Sequence, residues 1–477
     1  MNKYLLILLL PIYISNILLS ISIDYINAYY DSDNNNHLFR PYLNSTNQYL
    51  SSEIYTSFEN SNKGKIDDEI ILFSLKDNLI HYINQCGFNN DEKCNIGNIN
   101  WWSHRYDIFF SVNKKLSYNN TSSSNKKIHK EFLTFSRLNI SDNQIITNNT
   151  LKLIKGEVLY VTDNVPQFKL GCNTTDLKSY NIINNNIFML YRQYSEEGNG
   201  RTVIKTNNDN FTNKYVLKDL IENLTNKNYS FIDFDIIERY DKNNNIITDS
   251  YNIILETFNK DIQNSILYRC SVEEDILNDY IHIYPNTDSK NISQTDALFN
   301  HNGDYISFLN MKKQSQQHFD LYVVDMSELK SFKGGCSPFM ESHSLDPQKL
   351  NYRLIDTNVA GHESWGQGSL NNFNSYCWHP TKDIIFYSKR EIINKTKTYP
   401  IYYYDLNSTI GPQKLDIPTN YNKYINISND GQFLLFSFNG INTSIDSDFK
   451  FSNDNNNNDE LYDIGYYKIG LAKLIYD

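Results

Sequence analysis

The sequence predicts an all-β protein assembled from repeats, and three observations carry that reading. The composition is rich in Tyr and Phe (37 and 26 of 477 residues) with abundant Ile, residues that suit a pleated, half-buried surface. A ten-residue pattern of strand, polar turn and strand recurs along the chain. Collagen-like and proline-rich classes are excluded, because only 10 Pro and 18 Gly are spread over the whole length.

The repeat is clearest in the second half. Its first copy there is Phe299-Asn300-His301-Asn302-Gly303-Asp304-Tyr305-Ile306-Ser307-Phe308. Trp378-His379-Pro380-Thr381-Lys382-Asp383-Ile384-Ile385-Phe386-Tyr387 and Ile427-Ser428-Asn429-Asp430-Gly431-Gln432-Phe433-Leu434-Leu435-Phe436 align with it without gaps. An earlier copy runs from Trp102 to Ser111, with Trp102 aligned to Phe299. Asn302-Gly303 and Asp430-Gly431 are strong hairpin signals, since Gly tolerates the positive φ that a tight turn needs. A third strand ending in Asp follows in two copies, at Asp320–Asp325 and Pro400–Asp405. Weaker copies are expected at Ile182–Tyr191 with Arg201–Lys205, and at Ser250–Leu255 with Ile266–Cys270.

The pattern of an apolar residue, a Pro- or Gly-containing polar turn, an apolar run and then Tyr-x-x-Asp resembles the WD40-like repeat of TolB-like propellers. His301–Asp304, Trp378–Pro380 and Asn429–Gly431 are degenerate versions of that family's turn. The resemblance implies a six-bladed β-propeller of four-stranded antiparallel blades, with the propeller occupying residues 51–477 and Asn-rich loop insertions between strands. Residues 23–50 are expected as a polar lead-in. The strand-like runs Glu69–Leu75 and Ile464–Tyr476 suggest that N- and C-terminal strands meet in one blade, which would remove open sheet edges.

Residues 1–22 have the layout of a secretory signal peptide. Lys3 gives a positive start, Tyr4–Leu19 an apolar run, and Ser20 and Ser22 small residues spaced for cleavage. A secreted or extracellular location, or the lumen of the secretory and endolysosomal pathway, follows as an expectation, with no membrane span after cleavage. About fourteen Asn-x-Ser/Thr sequons agree with that compartment, among them Asn44, Asn139, Asn173, Asn223, Asn291, Asn394, Asn407 and Asn442. Asn is common enough here for chance to supply several. Six cysteines allow fifteen pairings, and only Cys86–Cys94, closing a short polar loop, stands out as a disulfide.

Nucleic acid is excluded as a partner: the net charge is −11, the pI about 5.4, and Lys126, Lys127 and Lys130 are too few to form a basic patch. The serine-hydrolase elbow, P-loop, dinucleotide fingerprint, His-Glu-x-x-His and EF-hand motifs do not occur. One loop has the composition of a site: Ala360-Gly361-His362-Glu363-Ser364-Trp365-Gly366-Gln367-Gly368-Ser369. Its glycines let a ligand approach the backbone, Trp365 offers a stacking face, and His362 with Glu363 can move protons or bind metal. His379 and His343 lie downstream and upstream in sequence. Two readings follow. In the first, no cofactor is needed and a non-catalytic propeller recognises a protein or glycan partner, His379 merely filling a turn position. In the second, His343, His362, Glu363 and His379 hold a divalent metal in a polysaccharide lyase or hydrolase. Oligogalacturonate lyases give that second reading a precedent by fold-level analogy alone. The first ranks ahead, because no complete catalytic set can be assembled.

Overall fold

The computed structural model describes residues 20–30, 37–55, 66–76, 80–83, 94–101, 107–117, 127–137, 176–183, 186–194, 200–207, 213–216, 229–241, 243, 245–259, 264–273, 276–283, 292–312, 319–327, 351–360, 376–393, 395–440 and 467–477. Within them the chain is built from antiparallel strands. Strand β1 (Ile21–Tyr29) comes first. β2 (His37–Leu43), β3 (Tyr49–Tyr55), β4 (Ile66–Ser74) and β5 (Ile80–Ile83) then form a sheet in chain order. β6 (Cys94–Trp101), β7 (Asp107–Ser117) and β8 (Lys127–Arg137) form the second. The third holds β9 (Asp176–Ile183), β10 (Asn186–Tyr194), β11 (Gly200–Asn207) and β12 (Asn213–Val216). The fourth holds β13 (Tyr229–Tyr240), β14 (Ile246–Asn259), β15 (Asn264–Glu273) and β16 (Ile276–Ile283).

The fifth sheet contains β17 (Ile292–Phe299), β18 (Tyr305–Lys312), β19 (Phe319–Asp325) and β20 (Tyr352–Val359). In the sixth, β21 (Tyr376–Trp378) and β22 (Ile384–Ser388) pair with β25 (Ile401–Asp405) and β26 (Gln413–Lys414). A separate hairpin, β23 (Glu391–Ile393) and β24 (Thr396–Thr398), interrupts it. The last sheet is β27 (Lys423–Ile427), β28 (Phe433–Phe438) and β29 (Lys468–Tyr476), with β1 as its outer strand. Among the described residues, then, seven sheets of three or four strands follow one another, one more than the six blades expected from sequence. First strands of neighbouring sheets touch in the order β6, β2, β27, β21, β17, β13, β9.

The burial pattern explains the unbroken apolar runs. Every residue of β22 is buried, and its two faces serve different cores. Ile384 and Phe386 pack with Leu434, Phe436 and Phe438 of β28, whereas Ile385 and Tyr387 pack with Leu321, Val323 and Ile355 of the fifth sheet. β28 repeats the arrangement: Leu435 turns the other way, onto Leu38, Leu50 and Ile71 of the first sheet. A sheet covered on both faces has no solvent side, so its sequence does not alternate. Each buried Phe or Leu contributes roughly 1.5–3 kcal/mol.

Several expectations move. β1, β2 and the start of β3 occupy residues 23–50, the stretch expected as a lead-in; Ile26 and Ala28 of β1 are buried against the last sheets. N- and C-terminal strands do share a sheet, but the N-terminal partner is β1, with Ile21 opposite Tyr476, and not the run Glu69–Leu75, which lies largely in β4. Because β1 begins at Ile21, leader removal after Ser22 would take away the Ile21–Tyr476 and Ser22–Ile475 pairs. The early repeat shifts by one residue. Trp101, not Trp102, sits opposite Ile108, seven residues on, as Phe299 sits opposite Ile306. The weaker copies fall on β9, β10 and β11, and on β14 and β15.

β2, β17 and β27 each carry a bulge with a residue at positive φ: Arg40 (53°), Asp296 (52°) and Tyr424 (53°). Each stands four residues before the turn that ends its strand. In β2 the bulge is tied down by a buried ion pair, Arg40 Nη1 to Glu53 Oε1 at 3.1 Å.

Gly470 of β29 lies opposite Phe436, and a Cβ there would stand 2.3 Å from the Phe436 ring. Gly470→Ala is therefore expected to force that ring out of place and cost about 1–3 kcal/mol, read as a lower urea midpoint at unchanged slope. An unchanged midpoint would show that the ring relaxes freely.

Candidate functional site

The turns between first and second strands share one construction. In Asn44–Tyr49, Asn300–Tyr305 and Ser428–Phe433 the first side chain accepts a hydrogen bond from the sixth backbone N–H, at 2.9 Å each time. The fourth residue, Asn47, Gly303 or Gly431, has positive φ. Asn44 thus begins a copy of the repeat that sequence reading missed, because Asn47 replaces the tell-tale Gly. Neighbouring turns are also bonded together: Asn47 Nδ2 donates to Asp430 Oδ2 at 2.6 Å, and Asn300 Nδ2 to Asp383 Oδ1 at 2.9 Å.

His379 fills the first position of the fourth such turn and is 2% exposed. Its Nδ1 accepts the Thr381 N–H at 3.1 Å. The ring meets Tyr476 edge-on at 5.3 Å and occupies the space a side chain on Gly431 would need. Burial above all, then the nearby charge of Lys382 and the presence of His301, push its pKa down from 6.5 to about 4, against an opposing pull from Asp430. At neutral pH it is an uncharged packing element between two sheets.

The other candidates lie outside the described residues, His343 within 328–350 and His362, Glu363 and Trp365 within 361–375, but both ends of the 361–375 loop are placed. Ala360 N donates to Ser388 O at 2.8 Å, and Tyr376 opens β21. His379 sits at the opposite end of β21, on the turn side, so the strand separates it from the point where the loop enters. Among the described residues, no group of three His, Cys, Asp or Glu is arranged to hold a metal ion.

Around the base of that loop lies a network of charged and phenolic groups. Asp356 of β20 accepts Lys389 Nζ at 2.7 Å and Tyr387 OH at 2.6 Å. Tyr387 stacks on Tyr402, whose hydroxyl donates to Glu391 Oε1 of the β23–β24 hairpin. Lys414 Nζ reaches Glu391 Oε2 at 3.1 Å. Burial, reinforced by the carboxylate each phenol faces, raises the pKa of both Tyr387 and Tyr402 far above the usual range. For Glu391, burial works upward, yet the hydrogen bonds from Tyr402 and Lys414 outweigh it and hold the carboxyl below its ordinary value. The phenols donate and the carboxylates accept, and these bonds tie the hairpin to β25 and β26. A cleft lined by Ile393, Pro400, Lys414, Leu415, Ile417 and Asn420 runs beside it. In the sequence, Tyr402-Tyr403-Tyr404 reads as core; the Glu391 contact depends on an inserted hairpin that no local pattern announces.

The remaining expectations divide similarly. Cys86 is outside the described residues and Cys94 opens β6. Cys377 is a buried thiol, its pKa raised by desolvation, and packs as an apolar residue among Ile384, Ile401 and Leu434. Asn139, Asn173, Asn223, Asn291, Asn394 and Asn442 are outside the described residues. Asn44 is buried and Asn407 is exposed. Among the described residues, no helix is long and apolar enough to cross a membrane.

No protein-family model and no curated protein matches the chain. Solved structures similar to it include the Dos1 propeller (7% identity, TM-score 0.45, covering 95% of each chain). An oligogalacturonate lyase in complex with manganese is similar at 8% identity and TM-score 0.46, covering 96% of each. A prolyl endopeptidase matches at 9% and 0.43, over 85% of this chain and 45% of that one.

The lowered pKa of His379 fixes a sign. Between about pH 4 and 6.5 the unfolded chain binds a proton there that the folded chain does not, so stability falls as pH drops through that window. His379→Asn, which restores the residue of the Asn300 turn, is expected to lose less stability than wild type between pH 7 and 5 in urea titrations. Parallel losses would show that His379 titrates normally.

Proposed function

We propose that the chain is a secreted β-propeller that binds a protein or glycan partner through the face carrying the loop 361–375. The observation that supports it most is the base of that loop. Both loop ends are anchored on strands, beside a platform whose carboxylates and tyrosines saturate one another. A rigid platform without a poised acid or base suits recognition better than catalysis. In this reading the apolar run at residues 4–19 is a cleaved leader, and the β1–β29 pair closes a ring of TolB-like blades, to which the seven sheets of three or four strands among the described residues belong. The ring needs no cofactor.

The competing reading, a metal-assisted polysaccharide lyase or hydrolase, must place its metal on His343, His362 and Glu363 without His379, which is packed in a turn. Elemental analysis of the secreted protein separates the two. Wild type, His362→Ala and His379→Ala are all expected to lack a stoichiometric divalent metal. Replacing residues 361–375 with a Gly-Ser linker of equal length should leave the urea midpoint intact and abolish binding on a glycan array or to a cross-linked secreted partner. One metal per chain, lost in a folded His362→Ala variant, would overturn the binding reading.

A further inference from the structure

The sequons that the structure describes differ sharply in what surrounds them. Asn44 is 1% exposed; its Nδ2 donates to Thr46 Oγ1 at 2.8 Å, and its Oδ1 accepts the N–H groups of Gln48 and Tyr49. Asn426 lies in β27, and the third residue of its sequon, Ser428, is the buried first residue of a turn, its hydroxyl donating to Asp430 at 2.6 Å. Asn44 has no room for a sugar, and Asn426 Nδ2 already donates to Pro41 O at 3.4 Å in a neighbouring sheet. Asn407, with Thr409 as its third residue, is exposed, and so is Thr409. It sits between β25 and β26 in a turn held by Asp405, whose Oδ1 accepts the Asn407 N–H at 2.9 Å. Next to it Ile410 is 39% exposed, and no heavy atom lies within 4 Å of where a side chain on Gly411 would begin.

We propose that Asn407 carries an N-linked glycan and that Asn44 and Asn426 do not, which places the sugar on the turn end of the molecule. The end is fixed by strand register: Asp405 pairs with Ile384 beside the His379 turn, while Ile401 pairs with Ser388 beside the loop 361–375. The donor is a lipid-pyrophosphate-linked oligosaccharide. A bond forms between Asn407 Nδ2 and the anomeric carbon, the bond from that carbon to the pyrophosphate oxygen breaks, Nδ2 gives up one proton, and the lipid pyrophosphate leaves. One N–H remains, enough to keep the 3.4 Å contact from Nδ2 to Asp383 Oδ2. The glycan covers the exposed Ile410 and leaves the opposite end open, which deepens, and rests on, the secretory reading given above.

The test uses the full chain expressed in a eukaryotic secretory host. Enzymatic deglycosylation in heavy-oxygen water converts each glycosylated Asn to labelled Asp, which peptide mass mapping then locates. Label is expected at Asn407 and not at Asn44 or Asn426. Asn407→Gln should lose the mass of one glycan and still be secreted in folded form. Label at other sequons with Asn407 unmodified would overturn the assignment, as would label at Asn44 in the folded fraction or a secreted chain without glycan. Retention in the cytosol with the leader intact would instead overturn the secretory reading beneath it.

Discussion

The interaction that sets strand register in three of the sheets is a short one: a side-chain oxygen at the head of a six-residue turn receives the N–H at its tail. It goes with an offset of seven residues between facing positions at Leu43–Leu50, Phe299–Ile306 and Ile427–Leu434, and Trp378–Ile385 keeps that offset although His379 bonds the Thr381 N–H instead. In a strand, a slip of one residue exchanges the two faces. Here that would be severe, because both faces of β22 and β28 are buried in different cores. The turns then bond to one another through Asn47–Asp430 and Asn300–Asp383, so register within a sheet and packing between sheets are set at the same place.

His379 shows what happens when the rule is kept in position but changed in chemistry. An imidazole is too large to copy the Ser or Asn cap; it turns to the Thr381 N–H and spends its bulk on the neighbouring sheet, against Gly431 and Tyr476. Gly431 is then held by two demands at once, its own positive φ and the ring lying over it. The neutral imidazole follows from that packing.

Much of the fold was legible because turn chemistry is local. Asn302-Gly303 and Asp430-Gly431 announced their hairpins, and the apolar runs after them announced buried strands. Asn44–Tyr49 escaped because Asn can adopt the same left-handed backbone as Gly without advertising it. The one-residue offset at Trp101 escaped because two adjacent tryptophans fit the pattern equally well, and only pairing with Ile108 decides between them. β1 was hidden by its position, directly after an apolar run and far in sequence from its partner. The candidate site was less legible still. His379 was visible as a histidine but not as a buried one, and the Asp356–Tyr387–Tyr402–Glu391 network joins residues from separate strands and a hairpin that share no motif.

The pairing of β1 with β29 also carries a consequence for how the chain is made. Of the described strands, β1 leaves the ribosome first and β29 last. At the usual pace of synthesis the interval between them is on the order of half a minute or more. Throughout it β1 presents an unpaired edge with Ile21, Ile26 and Ala28 uncovered, an invitation to the wrong strand. The same sheet carries a bond just beyond both strands, Asp477 N to Ser20 O at 3.0 Å. Completion of this sheet therefore waits on a strand made far later than its partner, and a chaperone guarding β1 would have to hold it until the nine residues of β29 arrive.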